Sequence, residues 1–284
     1  MIIPIDISGK TQVYGIFGYP VKHSKSPQFQ TAAFSFYNIP AVYVPFEVKP
    51  EDLPKAIEGI KALNIKGLNI TVPHKENVIP YLNELSEEVK YIKACNTIKN
   101  INGYLIGYNT DEYGFITGLK ELEPSLDGRN VLVLGAGGAS RAVVYGLIKE
   151  GVNKIYQANR NLKRVETIIQ DFKGFNRLVD NIIQPVSYQE INKALLEKID
   201  IIVNTTSVGL REDDPWLFNY NLLQPNHTVV DIIYKETPLL KAAKEKNCKY
   251  QDGLPMLLYQ GAKAFEIWTN KPAPVEIMKE ALIK

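Results

Sequence analysis

Cysteine, histidine and long apolar runs are all scarce in this sequence of 284 residues. The two cysteines, Cys95 and Cys248, are too few for a disulfide framework, and the three histidines show no metal-ligand spacing. No apolar run approaches the roughly 18 residues that a membrane span needs. We therefore expect a protein with no bound metal and no membrane segment.

An excess of charge of one sign is also lacking, since 33 lysines and arginines stand against 31 aspartates and glutamates. The resulting net charge of +2 gives no electrostatic field for binding nucleic acid or a membrane surface. The first residues, MIIPIDISGK, contain an acid and no basic region before an apolar block, so a signal peptide is not expected. Composition thus predicts a soluble cytoplasmic protein.

What the sequence does contain is a regular alternation of strand and helix patterns. Its length favours two domains, and the alternation predicts an α/β unit in each. Pro45 places the second predicted strand at a sheet edge. Strands are predicted at 13–17, 41–48, 67–72, 131–134, 154–158, 199–204 and 228–233. Helices are predicted at 28–37, 51–63, from 139 onward, and at 162–172, 239–246, 253–267 and 275–284.

The clearest single motif is the stretch NVLVLGAGGASRAVVYGLIKE at 130–150. Its apolar run at 131–134 is typical of a strand buried on both faces of a parallel sheet. Gly135, Gly137 and Gly138 then turn the chain into a helix, which is the context of a dinucleotide-binding fingerprint. Ser140 stands at the position of the third glycine. The motif predicts a pyrophosphate at the helix N-terminus, and a purely structural tight turn is the alternative.

The residues after the next strand favour NADP over NAD. A fold that binds NAD usually carries an acidic residue about 20 positions after the glycine turn, where it binds the ribose 2′-hydroxyl. Here that strand ends in Gln157, Ala158, Asn159, Arg160 and Asn161, without a carboxylate. The guanidinium of Arg160 suits a 2′-phosphate, although a solvated basic helix start would look the same.

Two polar residues in predicted loops are candidates for the chemistry. Reduction of a ketone builds negative charge on its oxygen, so an acid or a cation is needed there. Lys75 follows a predicted strand in NITVPHK, and Asp111 ends the segment GYNTD. Considered separately, each residue is weak evidence, because lysine and aspartate are common in surface loops.

An ordered series of motifs spans nearly the whole chain. The series is GYPVKHSKSP at 18–27, NITVPHK at 69–75, ACNT at 94–97, GYNTD at 107–111, GAGGASRA at 135–142, NR at 159–160, NTTSVG at 204–209, DIIY at 231–234 and GLPMLLYQG at 253–261. In this order the series resembles the shikimate dehydrogenase family. The resemblance implies reversible NADPH-dependent reduction of 3-dehydroshikimate to shikimate, in aromatic amino-acid biosynthesis by the chorismate pathway.

The same resemblance implies a domain organisation. It places a substrate-binding and catalytic α/β domain at 1–112, completed by 254–284. A Rossmann-type NADP-binding domain with a parallel sheet would occupy 113–253, with the active site in the cleft between the domains. A monomer or a homodimer is expected, with a small-molecule substrate and no nucleic-acid partner.

The family resemblance also implies how the residues divide the work. Lys75 and Asp111 would form the catalytic pair beside the reacting oxygen. The substrate carboxylate would be bound by Ser24, Ser26 and Tyr234, and the ring hydroxyls by Thr71, Asn96 and Gln260. The cofactor-binding residues would be Gly135, Ala136, Gly137, Gly138, Ala139, Asn159, Arg160, Thr205 and Gly253.

Simpler roles remain open for the substrate anchors. Ser24 and Ser26 precede a helix and suit capping, while Asn96 and Thr97, like Asn109 and Thr110, suit turns. Gln260, in an apolar helix, needs a partner that a backbone group would also supply. Tyr234 is equally consistent with a packed aromatic whose hydroxyl reaches water.

Two departures from the family pattern concern the support of the substrate loops. Gln30 and Thr31 stand where the family usually has His-Asn, and Lys93 stands where a glycine is common. A lysine would be strained if that position requires a positive φ. The departures put the exact substrate in doubt more than the reaction class, and quinate is the nearest rival. The competing hypotheses are a quinate/shikimate dehydrogenase using NAD and, from a different class, a non-catalytic ligand-sensing relative. Arg160 weighs against the first, and Lys75 with Asp111 against the second.

Overall fold

A computed structural model describes residues 7–211 and 213–283 of the chain. The chain divides into two compact units, Met1–Tyr113 with Leu258–Lys284, and Gly114–Leu257. Each unit contains one six-stranded sheet with helices in the intervening sequence, which confirms the predicted class of two α/β domains. Residues 1–6 of the segment considered for a signal peptide lie outside the described residues, as does Lys284 of the last predicted helix.

The first unit is built on a mixed sheet with the strand order β2-β1-β3-β5-β6-β4. Through residue 120 the elements are β1 (Gln12–Gly18), α1 (Ser26–Phe36), β2 (Ala41–Glu47), α2 (Leu53–Ala62), β3 (Gly67–Ile70), β4 (Glu84–Leu85), α3 (Glu87–Ile92), β5 (Thr97–Ile101), β6 (Tyr104–Tyr108) and α4 (Asp111–Lys120). β1 pairs in parallel with β2 and β3, whereas β5 pairs antiparallel with β3 and β6. β2, which contains Pro45, is an edge strand, as predicted.

The sheet of the first unit brings distant polar segments together. The parallel strands β1 and β3 end at the same edge, where Thr71 N donates to the Phe17 carbonyl at 2.9 Å. A Cβ on Gly18 would lie 2.4 Å from Thr71 Cγ2, so the two loops approach this closely only with glycine there. The hairpin of β5 and β6 turns at Asn102 and Gly103, both with positive φ, which suits a two-residue hairpin turn.

The second unit has the doubly wound Rossmann arrangement. Its six strands are all parallel in the order β12-β11-β10-β7-β8-β9, with the topological switch between β7 and β10. The elements are β7 (Asn130–Leu134), α5 (Gly138–Lys149), β8 (Lys154–Ala158), α6 (Leu162–Phe172), α7 (Val179–Ile182), β9 (Ile183–Val186), α8 (Lys193–Leu196), β10 (Ile201–Asn204), β11 (Thr228–Asp231), α9 (Pro238–Glu245) and β12 (Lys249–Gln251). Two helices follow: α10 (Leu254–Thr269), which begins in the second unit and ends in the first, and α11 (Val275–Ile283), which belongs to the first.

Each sheet has its own apolar core. In the first unit Phe17, Leu68 and Ile98 of three neighbouring strands pack with Ile57 and Ile60 of α2. In the second unit Leu132, Leu134 and Ile202 pack with Leu239 and Leu240 of α9. Among the residues described, no helix has the length and apolarity to cross a bilayer, and no cluster of three His, Cys, Asp or Glu side chains is placed to hold a metal ion.

Candidate active site

Lys75 and Asp111 meet in the first unit although they are 36 residues apart in sequence. Lys75 Nζ lies 2.5 Å from Asp111 Oδ2, and the two side chains are only 16% and 5% exposed. Water therefore screens the pair weakly, which strengthens the interaction between the two charges. A partly exposed ammonium held by a buried carboxylate is a suitable group to face the oxygen of a carbonyl substrate.

The backbone around Lys75 is fixed on two sides. Its carbonyl accepts a hydrogen bond from Cys95 N at 2.8 Å, which ties the loop after β3 to the start of β5. The preceding residue, His74, is fully buried, and its Nε2 lies 2.7 Å from the Val48 carbonyl. Because a carbonyl only accepts, His74 carries its proton on Nε2. The His74 ring therefore anchors the loop that presents Lys75.

Asp111 begins helix α4, and Asn109 places it there. Asn109 Oδ1 accepts from Asp111 N at 3.1 Å and from Glu112 N at 3.4 Å, as an N-terminal cap does. Asn109 Nδ2 donates to the Ala94 carbonyl at 2.8 Å. Asn109 is thus a turn former, and it holds Asp111 where the helix N-terminus favours a carboxylate.

Asn96 connects this pair to the rest of the polar site. Its Nδ2 lies 2.8 Å from Asp111 Oδ1, 3.0 Å from Thr110 Oγ1 and 3.3 Å from Gln260 Oε1. Its Oδ1 accepts from Thr110 N at 2.7 Å. The two amide hydrogens therefore serve three acceptors, and Asn96 fixes the carboxylate of Asp111 relative to Gln260 on α10.

A chain of buried hydrogen bonds extends from Asn96 to Ser26. Asn69 Nδ2 donates to the Asn96 carbonyl at 3.2 Å, and Asn69 Oδ1 accepts from the Tyr43 hydroxyl at 2.7 Å. Burial raises the pKa of Tyr43, and a hydrogen bond with Ser26 opposes the rise. Ser26 is itself 2% exposed. The first residue of α1 is thereby linked to the Lys75–Asp111 pair through side chains alone, apart from the one carbonyl.

The remaining predicted substrate anchors of the first unit differ in whether their polar groups already form hydrogen bonds within the protein. The Ser24 hydroxyl accepts from Ser26 N at 3.3 Å, so it begins α1 as a capping group does. Thr71 follows β3, and its hydroxyl has no hydrogen-bond partner in the part of the chain that the structure describes. Because of this, the Thr71 hydroxyl is available for a ligand. Gln260, the third of these anchors, is 8% exposed.

In the second unit the predicted glycine turn joins β7 to α5. Gly135 has a φ of +114°, and a Cβ there would lie 2.6 Å from Thr205 Oγ1, so its glycine is required by conformation and by space. Gly137, by contrast, has no atom within 4 Å of an added Cβ. Ala136 is buried beside it, while Gly138 and Ala139 begin α5 and are half-buried. The turn is packed on one side and open on the other, as a phosphate cradle must be.

Arg160 lies on the surface just after β8. Burial raises the pKa of Tyr188, and the nearby charge of Arg160 opposes that rise. Asn159 Nδ2 donates to the Asn161 carbonyl at 2.8 Å, and Asn161 caps α6 by accepting from Lys163 N. The loop that carries Arg160 is therefore held by local hydrogen bonds.

Three further predicted residues lie near the ends of β10 and β11. The Thr205 hydroxyl donates to the Leu134 carbonyl at 2.6 Å, so Thr205 supports the glycine turn. A Cβ on Gly253 would lie 2.0 Å from the Ile232 carbonyl oxygen, which leaves no space for a side chain. Tyr234 is half-buried, and burial raises its pKa.

A buried carboxylate holds the loop of Tyr234. Asp231 Oδ2 accepts from Asn204 Nδ2 at 3.0 Å and from the Thr237 hydroxyl at 2.8 Å, and Oδ1 accepts from Ile233 N at 3.0 Å. Burial raises the pKa of Asp231 to about 6, against these hydrogen bonds. Asp231 thus joins the loops after β10 and β11.

Comparisons with known proteins agree with this arrangement. Three family models match the chain: the substrate binding domain of shikimate dehydrogenase at residues 16–98, shikimate / quinate 5-dehydrogenase at 118–210, and the C-terminal domain of shikimate 5′-dehydrogenase at 253–283. The NADP(+) shikimate dehydrogenase of Aquifex aeolicus is 48% identical over 276 residues, covering 97% of this chain and 98% of the relative. The chain belongs to the shikimate dehydrogenase family.

Solved structures of shikimate dehydrogenases have the same fold. The crystal structure of the Aquifex aeolicus enzyme superimposes with a TM-score of 0.91, covering 98% of this chain and 100% of that one. The Thermus thermophilus enzyme in complex with NADP(H) and shikimate is 32% identical, with a TM-score of 0.84 over 96% of this chain and 98% of that one. The family and fold expected from the motifs are confirmed.

The structure shows the surroundings of Gln30 and Lys93, two residues that depart from the shikimate dehydrogenase pattern. Gln30 is fully buried, and its Nε2 donates to the Gly261 carbonyl at 2.8 Å, next to Gln260. A Cβ on Gly261 would lie 2.3 Å from the Phe29 ring, so α1 and α10 touch at this point. Lys93 ends α3 with a φ of +56°, so the positive φ considered for this position is present.

Sequence reasoning missed three residues that organise the shikimate dehydrogenase site: Tyr43, Asn69 and His74. Asn69 and His74 lie inside the NITVPHK motif, so their presence was visible but their role was not. All three are buried polar side chains, which normally require hydrogen-bond partners. A polar residue within a predicted buried strand or tight loop was the available signal.

Proposed function

We propose that this protein catalyses the reversible NADPH-dependent reduction of 3-dehydroshikimate to shikimate in aromatic amino-acid biosynthesis. The observation that carries the proposal is the buried contact of Lys75 with Asp111, held by Asn96. The curated relatives of this chain at 40–48% identity are named NADP(+) shikimate dehydrogenases. A non-catalytic sensor would not need a lysine–aspartate pair fixed at this distance.

NADPH, when bound, supplies the hydride. The main chain of Gly135, Ala136, Gly137, Gly138 and Ala139 would hold its pyrophosphate, because the turn is open beside Gly137. Arg160 would pair with the 2′-phosphate. Asn159, Thr205 and Gly253 would complete the cofactor site from the adjacent loops.

Lys75 donates a proton or a hydrogen bond to the substrate carbonyl oxygen as negative charge develops there. Asp111 keeps the Lys75 side chain in position, and Asn96 keeps Asp111 in place through the second carboxylate oxygen. In the reverse direction the same lysine accepts the proton of the shikimate hydroxyl. Positioned proton transfer of this kind contributes about 10²–10⁴-fold to the rate.

The polar network of the first unit would recognise the hydroxyl-rich acid. We assign the carboxylate to Ser24 and Ser26, with Tyr234, and the ring hydroxyls to Thr71, Asn96 and Gln260. Such a substrate needs several polar anchors, because each unmatched buried group weakens binding. The shared amide hydrogens of Asn96 support this assignment, as does the Thr71 hydroxyl, which has no hydrogen-bond partner among the described residues.

We further propose that residues 1–112 with 254–284 bind the substrate, that residues 113–253 bind NADP, and that the enzyme acts in the cytoplasm as a monomer or homodimer. Cys95 and Cys248 are buried free thiols, which suits a reducing compartment. Sedimentation velocity of the purified protein decides between the two oligomeric states.

A spectrophotometric assay that crosses shikimate and quinate with NADP⁺ and NAD⁺ tests the proposed function. We expect the highest kcat/KM with shikimate and NADP⁺. Faster turnover with quinate and NAD⁺ would make the protein a quinate dehydrogenase. No turnover with any of the four pairs, despite binding of shikimate, would instead favour the sensor.

A further inference from the structure

Gln157 is a fully buried amide in the middle of the parallel sheet of the second unit. It lies on β8, between β7 and β9, where it pairs with Val133 and Pro185. Strands in this position are normally continuous apolar runs. A buried amide is costly unless its hydrogen bonds are made, so the contacts of Gln157 require an explanation.

The side-chain nitrogen of Gln157 reaches the glycine turn. Its Nε2 lies 3.1 Å from the Gly135 carbonyl oxygen and 3.1 Å from Ser140 Oγ. Ser140 Oγ in turn donates to the same Gly135 carbonyl at 2.8 Å. These three groups form a closed triangle of hydrogen bonds. It uses both amide hydrogens of Gln157, the hydroxyl hydrogen of Ser140 and both lone pairs of the Gly135 carbonyl.

Holding the Gly135 carbonyl fixes the next peptide N–H. In a planar trans peptide the carbonyl of Gly135 and the N–H of Ala136 point in opposite directions. With the carbonyl turned inward to Gln157 and Ser140, the Ala136 N–H points away from them. Ser140 stands where the fingerprint has its third glycine, and its hydroxyl takes part in holding the turn.

We infer that Gln157 and Ser140 are positioning residues that orient the Ala136 N–H toward the pyrophosphate of NADP. The inference rests on the proposed NADP-dependent function and adds to it two residues that act through the backbone of the turn. Neither side chain contacts the cofactor. Their effect is to hold one hydrogen-bond donor ready before the ligand arrives, which lowers the ordering cost of binding.

The rest of the Gln157 amide supports this role. Its Oε1 has no hydrogen-bond partner among the described residues, although it is buried. An unpaired buried acceptor lowers stability, so an apolar side chain of the same size would avoid that cost. The two N–H groups that reach the turn are what an amide provides at this position and a leucine does not.

The test compares two ligands by isothermal titration calorimetry. NADP⁺ contains the pyrophosphate, whereas adenosine 2′-monophosphate contains only the part that Arg160 would bind. For Gln157→Leu we expect the Kd of NADP⁺ to rise about ten-fold, the effect of one lost hydrogen bond, and the Kd of adenosine 2′-monophosphate to stay within about two-fold. Unchanged binding of the smaller ligand also shows that the variant is folded.

Matched variants separate positioning from general damage. Ile155→Val changes the same face of β8 two residues away and should leave both Kd values unchanged. Ser140→Ala should weaken NADP⁺ binding as Gln157→Leu does, and the double variant should lose less than the sum because both act on one carbonyl.

Three results would count against these assignments, and they are distinguishable. Equal affinity of wild type and Gln157→Leu for NADP⁺ would overturn the inference and leave the proposed function intact. Equal losses for both ligands would show a structural role only and would also overturn it. Failure of the wild-type protein to bind NADP⁺ would instead overturn the proposed cofactor.

Discussion

The ammonium of Lys75 lies 2.5 Å from one carboxylate oxygen of Asp111, and the other oxygen accepts a hydrogen bond from Asn96 at 2.8 Å. The carboxylate is thus held from both sides, and the lysine is aimed before any substrate binds. Groups that are held in the reactive geometry in advance need not be ordered during the reaction, and this preorganisation supplies a large part of enzymatic rate enhancement.

Tyr43 connects the two ends of the substrate network, because its hydroxyl forms hydrogen bonds with both Asn69 and Ser26. Tyr43→Phe removes the donor to Asn69 Oδ1, leaving a buried acceptor unpaired, so the free energy of unfolding should fall by about 1–3 kcal/mol. We expect the KM for shikimate to rise more than kcat falls, because Ser26 loses its partner while Lys75 keeps Asp111. Urea unfolding and steady-state kinetics measure both effects.

Tyr14→Phe is the matched control for Tyr43. The Tyr14 hydroxyl donates to Gln12, a half-buried residue that water can still reach, so this change should cost less. Equal effects of the two substitutions on KM would contradict the role given to Tyr43.

Arg160 is the residue that should distinguish the two cofactors. Arg160→Ala should raise the KM for NADP⁺ at least about ten-fold while hardly changing the KM for NAD⁺, since only NADP⁺ carries the 2′-phosphate. Lys163→Ala, a neighbouring basic residue at the start of α6, is the control and should have a smaller effect. Equal losses with both cofactors would refute the 2′-phosphate role.

Lys93 carries the backbone strain that glycine would relieve. At a φ of +56° a lysine costs more than glycine, so Lys93→Gly should raise the free energy of unfolding by roughly 1 kcal/mol. The kcat should not change, because Lys93 does not contact the Lys75–Asp111 pair. Lys93→Ala keeps the Cβ and should give no gain; a gain equal to that of glycine would show that the side chain, not the backbone, was responsible.

Asp231 should make stability fall as pH rises through the weakly acidic range. Its pKa is raised to about 6 by burial, so the folded protein binds the proton more tightly than the unfolded chain, whose carboxyl titrates near 4. The stabilising effect of the proton is complete below about pH 4 and is lost by about pH 6. In urea unfolding, the free energy of unfolding of wild type should increase relative to that of Asp231→Asn as pH falls across this window.

Glu123 provides the opposite case at the other end of β11. Burial raises the pKa of Glu123. The Thr228 hydroxyl, the Lys249 ammonium and the charge of Arg129 together lower this pKa by more than burial raises it, so the net shift is downward. Its contribution is present above the unfolded pKa and is lost as pH falls through the folded pKa. Glu123→Gln should therefore remove stability at neutral pH and less in acid; the same trend in both variants would contradict these assignments.

Local patterns predicted much of the fold. The bounds of β8 and α6 agree with prediction to the residue. For α6 the reason is its strongly amphipathic pattern, which is visible within a short stretch of sequence. The β5–β6 hairpin was not predicted, although Asn102-Gly103 is a hairpin signal. β9 is a four-residue edge strand containing Pro185, and such strands carry little periodicity.

The site was predictable only where motifs carried it. Lys75 and Asp111 could be named from NITVPHK and GYNTD, but their contact depends on the β3–β5–β6 pairing, which no local pattern encodes. Tyr43 and Gln157 belong to no motif. Their partners lie on other strands, so only the register of the sheets reveals what they do.

Replacement of Lys75 is the decisive experiment for the role of the lysine–aspartate pair. Lys75→Ala removes the proton donor and leaves Asp111, Thr71 and Gln260 in place, so kcat should fall by about 10²–10⁴-fold. The Kd of shikimate, measured by calorimetry without cofactor so that no turnover occurs, should change far less. A kcat near that of the wild-type enzyme would contradict the assignment of the lysine–aspartate pair to the chemistry.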